Sequence, residues 1–194
     1  MIIIVMGPMG SGKGEQSRLL GQDLKIPQLS MGDLLRNLIA SGTTLGKLSK
    51  EYVDKGLLVP DAIINFILQS RVQEEDCKNG YILDGCPRSL IQGVIFDNWL
   101  STKNQKVDKV IFFDISEEET IQRVTSRAKK AIENGETPRN DDLNEMSIKN
   151  RMKEFFDQVL PLKMYYENMG VLQVVDARPS IEEIHAYIMK TLEY

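Results

Sequence analysis

The sequence predicts an α/β domain: a doubly wound, five-stranded parallel sheet with helices on both faces. Two observations predict it. Residues 2–6 (IIIVM), 81–85 (YILDG) and 109–115 (KVIFFDI) are nearly continuous apolar runs, as expected of parallel strands covered on both faces. Stretches with helical apolar spacing lie between them, and such alternation is the pattern of strand–helix–strand units. Ligands of these sheets sit beyond the carboxyl ends of the strands.

The elements follow in order. A helix starting near residue 14 (GEQSRLLGQDL) follows the first strand, and residues 26–30 (IPQLS) make a short further strand. Pro60 and Asp61 suit the first turn of a helix over 60–75. Residues 89–101 form the helix after the 81–85 strand. Ser116 is placed as the N-cap of the next, SEEETIQRVTSRAKKAIE over 116–133, and Glu117, Glu118 and Glu119 favour its dipole. A long helix covers about 141–168, a strand 170–177 (GVLQVVDA), and the helix SIEEIHAYIMKTL closes the fold. Two segments break the alternation. Residues 30–59 hold two helical stretches with no strand between them. Residues 128–140 lose apolar periodicity and carry Gly135 and Pro138. Both read as excursions from one domain spanning 1–194.

Composition narrows the function. The 194 residues are 42% hydrophobic and 27% charged, which is ordinary for a globular protein. A formal charge of −4 supplies no global attraction for nucleic acid or anionic membrane, so an anion site must be built locally. No apolar run approaches the roughly 20 residues that span a bilayer. Residues 1–6 are short for a signal sequence and have no basic flank. Cys77 and Cys86 form no disulfide framework, and no Cys/His spacing suggests structural zinc. The expectation is a cytoplasmic protein.

The segment after the first strand carries the chemistry. Residues 7–13 fit G-x-x-x-x-G-K, with a strand before and a helix after, the context that a phosphate loop requires. Glycines let successive backbone N–H groups turn inward, and with the helix N-terminus they cradle polyphosphate. Lys13 adds a point charge. The usual Ser/Thr that ligates magnesium is replaced by Gly14. The fold expected is therefore that of a P-loop NTPase.

GSGKGEQ resembles the loop of nucleoside monophosphate kinases, G-x-P-G-x-G-K-G-T-Q. LSMGDLLR (29–36), KGLLVPD (55–61), GYILDGCPRSLIQ (80–92) and RNDDLNEMSIKNRMKEF (139–155) resemble further motifs of that family, in order and over nearly the whole chain. The resemblance is greatest to the short-lid adenylate kinase family. It implies transfer of the ATP γ-phosphoryl group to AMP with Mg2+, by a monomer. It makes residues 30–59 the excursion that binds the monophosphate and 123–141 a short lid.

The same resemblance assigns residues. Lys13, Arg88, Arg123, Arg127, Arg139 and Arg151 are the catalytic cations. Gly10, Ser11, Gly12, Lys13, Gly14, Glu15, Arg123 and Pro179 form the ATP site. Met31, Arg36, Leu57, Leu58, Val59, Gly85, Cys86, Pro87, Arg88, Gln92, Arg139 and Arg151 form the AMP site. Asp84 organises magnesium through water, and Asp33 is a weaker candidate for that shell. Independently of family, arginine's planar fork suits phosphate. Arg123 and Arg127, four residues apart, share a helix face. A Gln92 amide offers a donor and an acceptor to adenine's amino edge. Asp141 and Asp142 either pair with lid arginines or serve a helix's first turn. His185, the only histidine, reads as a packed or surface residue, and Trp99, Phe112 and Phe113 as core.

Three residues depart from the family pattern. Glu15 replaces Thr in the loop and sets a carboxylate beside a phosphate cradle. Met31 replaces Thr, and Cys86 replaces Phe, both near the acceptor base. A pyrimidine monophosphate kinase and a nucleotide-binding module without turnover remain open at this point. Gln92 favours adenine, and Glu15 alone invites the module.

Overall fold

A computed structural model describes residues 1–55, 57–138, 143 and 145–192. Five strands, β1 (Ile2–Met6), β2 (Gln28–Ser30), β3 (Tyr81–Asp84), β4 (Lys109–Asp114) and β5 (Leu172–Asp176), form one sheet in the order β2-β3-β1-β4-β5. All pairings are parallel; Ile4 stands opposite Leu83 on one side and Val110 on the other. The helices are α1 (Lys13–Leu24), α2 (Met31–Ala40), α3 (Thr44–Asp54), α4 (Asp61–Arg71), α5 (Leu90–Ser101), α6 (Glu117–Glu133), α7 (Glu145–Asn168) and α8 (Ile181–Leu192).

The period of two along a strand decides which face each residue supplies. In β1, Ile2, Ile4 and Met6 pack with Phe96 and Leu100 of α5, Leu68 of α4 and Leu162 and Tyr166 of α7. Ile3 and Val5 point the other way, onto Leu20 of α1 and Ile184 and Ile188 of α8. Phe112 and Phe113 of β4 divide between the same two layers. Every β1 residue is buried, so the run IIIVM is apolar because both of its faces are covered.

α6 runs without interruption to Glu133, the end that SEEETIQRVTSRAKKAIE predicts, and so takes in the first part of the 128–140 stretch that lacks apolar periodicity. That end faces solvent on most sides, and Ala128 alone supplies buried contact there. α4 stops at Arg71, short of the expected residue 75. β2 begins at Gln28, not Ile26, because Pro27 has no N–H to give the ladder; only its carbonyl joins, accepting from Ile82 N at 2.9 Å. The expected start of the long helix at 141 lies outside the described residues.

Two glycines shape the turn from β1 to α1. Gly7 approaches β4 so closely that a Cβ there would lie 2.8 Å from Phe113 Cβ. Gly12, at φ 88°, holds the left-handed conformation at the N-cap of α1. Met9, between them, packs against Val124 of α6 and Met152 of α7, which ties the turn to both helices. Gly7→Ala is expected to lower stability by about 2 kcal/mol or more, through overpacking against an immovable strand. Chemical denaturation of the purified variant checks it.

Candidate active site

Strand order turns in opposite directions on either side of β1. In open α/β sheets the crevice at such a switch point is where ligands bind. A cavity of about 620 Å³ opens there, beyond the carboxyl ends of β1 and β3. The β1–α1 turn makes its floor, with Gly10, Gly12, Lys13, Gly14 and Glu15 on the wall. α1 has no side-chain cap, so its first N–H groups are left to whatever occupies the cavity. Ser11 is fully buried and does not reach the wall.

Lys13 lies half-buried and donates to Pro8 O at 3.2 Å. Desolvation pushes its ammonium down to about 8 from the ordinary 10.5; Asp84 opposes this, while Arg88, Arg151 and Arg127 push in the same direction. Four cations thus crowd one opening. Arg36 of α2, Arg123 and Arg127 of α6 and Arg151 of α7 all reach the wall, as does Arg88. Arg36 pairs with Asp33, one turn back on α2, and both remain substantially exposed. Ser30 caps that helix, accepting from Asp33 N at 3.3 Å. Arg88 Nε donates to Gly85 O at 2.8 Å, which aims the guanidinium back over the end of β3.

Asp84 terminates β3 and is buried. Gln28 Nε2 donates to its Oδ2 at 3.2 Å and to Gly14 O at the same distance, bracing strand, carboxylate and helix together. Its Oδ1 is buried with no hydrogen-bond partner among the described residues. An orphaned, acceptor-only carboxylate oxygen beside a phosphate cradle fits the water shell of a magnesium ion. A Cβ at Gly14 would meet Asp84 Oδ2 at 3.4 Å, an ordinary van der Waals contact, so the phosphate loop and the carboxylate stand side by side.

Glu15 is neutralised locally. Arg18, one turn along α1, binds it with both arms, Nη2 to Oε1 at 2.5 Å and Nε to Oε2 at 3.1 Å. That hydrogen bonding holds the Glu15 carboxyl below its usual range. The loop's one awkward charge is therefore turned along the helix.

The remaining expected residues divide clearly. Met31, Leu57, Leu58, Val59, Gly85, Cys86, Pro87 and Gln92 line the same cavity. The Cys86–Pro87 peptide is cis. Burial pushes the Cys86 thiol up to about 12, so it stays neutral. Pro179 is exposed on the β5–α8 loop, off the cavity wall. Arg139, Asp141 and Asp142 lie outside the described residues. His185 bridges helices instead: Nδ1 meets Gln16 Oε1 at 3.2 Å and Nε2 meets Asp23 Oδ2 at 2.8 Å. Sequence reasoning missed Gln28, and it missed the apolar wall of Leu35, Ile39, Val53, Ile64 and Phe155. The spacing of Leu35 and Ile39 signals a buried helix face but not that the face borders a ligand cavity.

Because the folded protein disfavours the Lys13 ammonium, that charge costs stability below pH 8, by roughly 1–3 kcal/mol. The cost fades as pH rises from about 8 towards 10.5. Lys13→Met should accordingly raise the Tm by several degrees at pH 7, with the gain shrinking above pH 9 or so. Calorimetry at several pH values measures it.

A family model described as adenylate kinase matches residues 5–171. The adenylate kinase of Leptospira biflexa is 40% identical over 190 residues, 98% of each chain. That of Thermobifida fusca is 39% identical over all of this chain and 98% of its own length. That of Bartonella quintana is 38% identical over 97% of both. With a family model over residues 5–171 and full-length relatives at 38–40% identity, the chain belongs to the adenylate kinase family.

Proposed function

We infer that the chain transfers the γ-phosphoryl group of ATP reversibly to AMP, giving two ADP. One observation carries the reading within this family: Lys13, Asp84, Arg36, Arg88, Arg123, Arg127 and Arg151 converge on a single cavity at the sheet's switch point.

The chemistry needs little from a base. The attacking group is an AMP phosphate oxygen, already largely anionic at neutral pH because its second pKa is about 6. The barrier is the repulsion between two polyanions that must meet end to end. Alignment and charge neutralisation lower it. The loop amides and Lys13 hold the β- and γ-phosphates of ATP. Arg36 and Arg88 clamp the AMP phosphate, and Arg123, Arg127 and Arg151 cover the group in transit. Asp84 would hold a magnesium ion through water, and that ion would supply neutralisation of phosphate charge. The apolar wall of Leu35, Ile39, Val53 and Ile64 borders the acceptor base, and Met31 and Leu57 to Val59 belong to the same subsite.

Residues 30–59 are the excursion that carries this acceptor site, and residues 123–141 are a short lid whose closure over ATP excludes water. Arg139 joins the transfer site from that lid. The reading extends to a cytoplasmic monomer; two unpaired thiols, Cys77 and Cys86, suit a reducing compartment.

The test is ADP formation from Mg-ATP with AMP, CMP, UMP or GMP in turn. AMP is expected to be the best acceptor, and no acceptor-dependent turnover would contradict the reading. Arg88→Ala should lower kcat/KM for AMP by roughly 100-fold or more, while the Kd for ATP changes less than about threefold. Equal losses in both would count against the role given to Arg88.

A further inference from the structure

We propose that Asp61 is the positioning residue that sets acceptor-base selectivity, by locking the side-chain amide of Gln92 in one orientation. The inference rests on the acceptor site assigned above. Gln92 is 2% exposed and borders the cavity. Its Oε1 accepts from Arg88 N at 2.8 Å, and its Nε2 donates to Asp61 Oδ1 at 2.8 Å. These two neighbours fix which end is which. A backbone N–H can only donate, and a carboxylate can only accept. Flipping the amide would set its NH2 against the Arg88 N–H and its oxygen against the Asp61 carboxylate. Both hydrogen bonds would be lost inside a buried site.

Asp61 is itself held. It opens α4, and Ser89 Oγ lies 3.4 Å from its Oδ1 as a donor. The same Ser89 oxygen caps α5 by accepting from Gln92 N at 3.1 Å. Asp61, Ser89, Gln92 and the Arg88 backbone thus form one closed network joining the starts of two helices.

The lock leaves Gln92 one N–H and one oxygen lone pair for the cavity, in a fixed order. Adenine presents an amino donor beside a ring-nitrogen acceptor, and cytosine presents the same pair. Guanine and uracil present the reverse, a carbonyl acceptor beside a ring N–H. A free amide could serve either pattern by turning over. A locked one serves only the first, because the second leaves polar groups unpaired. Apolar walls alone would not make this distinction between purines of equal breadth.

Kinetics of Asp61→Asn against the unaltered protein test the proposal. The asparagine amide can donate to a flipped Gln92 oxygen, so one of the two penalties disappears. The ratio of kcat/KM for AMP to that for GMP should then fall by roughly tenfold or more, mainly through the acceptor KM, with the KM for ATP unchanged. A merely structural loss would depress all acceptors together and leave the ratio where it was, which overturns the proposal. The unaltered protein gives an arm that does not depend on the variant folding. It should favour CMP over UMP, and equal use of the two also overturns the proposal. Absence of AMP turnover in the unaltered protein would overturn the assigned function and this inference with it. Brisk AMP turnover with an unmoved ratio overturns the inference alone.

Discussion

Burial of one cation among others in a single cleft dominates the candidate site. Lys13, Arg88, Arg127 and Arg151 face one opening, and desolvation, with repulsion from the three arginines added, pulls the Lys13 ammonium well below its ordinary range. Asp84 is the main opposing charge, and half of its carboxylate has no partner among the described residues. The arrangement is unfavourable by itself, and under the proposed function it becomes favourable when polyphosphate enters. On that proposal, stability is given up in the free protein so that the donors need little reorganisation at the moment of transfer.

The fold makes this possible by surrounding the strain with rigid support. β1 is buried on both faces, and Gly7 brings the phosphate loop hard against β4. Met9 anchors the loop's crest to α6 and α7, which carry Arg123, Arg127 and Arg151. Gln28 braces Asp84 against α1. Other charges nearby are settled locally. Arg18 takes Glu15, and Arg178 binds Asp176 beyond β5, holding that carboxyl down near 2. The proposed donor and acceptor halves meet at Arg88, whose side chain turns to Gly85 and whose backbone joins the Gln92 network.

Much of this was legible in the residues. Apolar runs identified the parallel strands because burial on both faces leaves no room for polar positions in β1, β3 or β4. The phosphate loop was readable because its glycines answer to steric demands at fixed spacing. The arginines were placed by resemblance, since one helical arginine looks like any other until the fold brings several together. What stayed hidden was pairing across the chain. Gln28 and Asp84 are 56 residues apart, and Gln92 and Asp61 are 31 apart. No local pattern announces such contacts. Glu15 looked hostile to phosphate because composition shows its charge, while only geometry shows that Arg18 has already taken it.

The central claim is that the cleft is electrostatically strained until phosphate relieves it. The most direct measurement is an NMR titration of the Lys13 side-chain nitrogen, free and with an inert two-nucleotide mimic bound. The free protein should titrate near 8, and the complex should return towards 10.5 or above. An ordinary Lys13 titration in the free protein, unchanged when the mimic binds, would contradict the account.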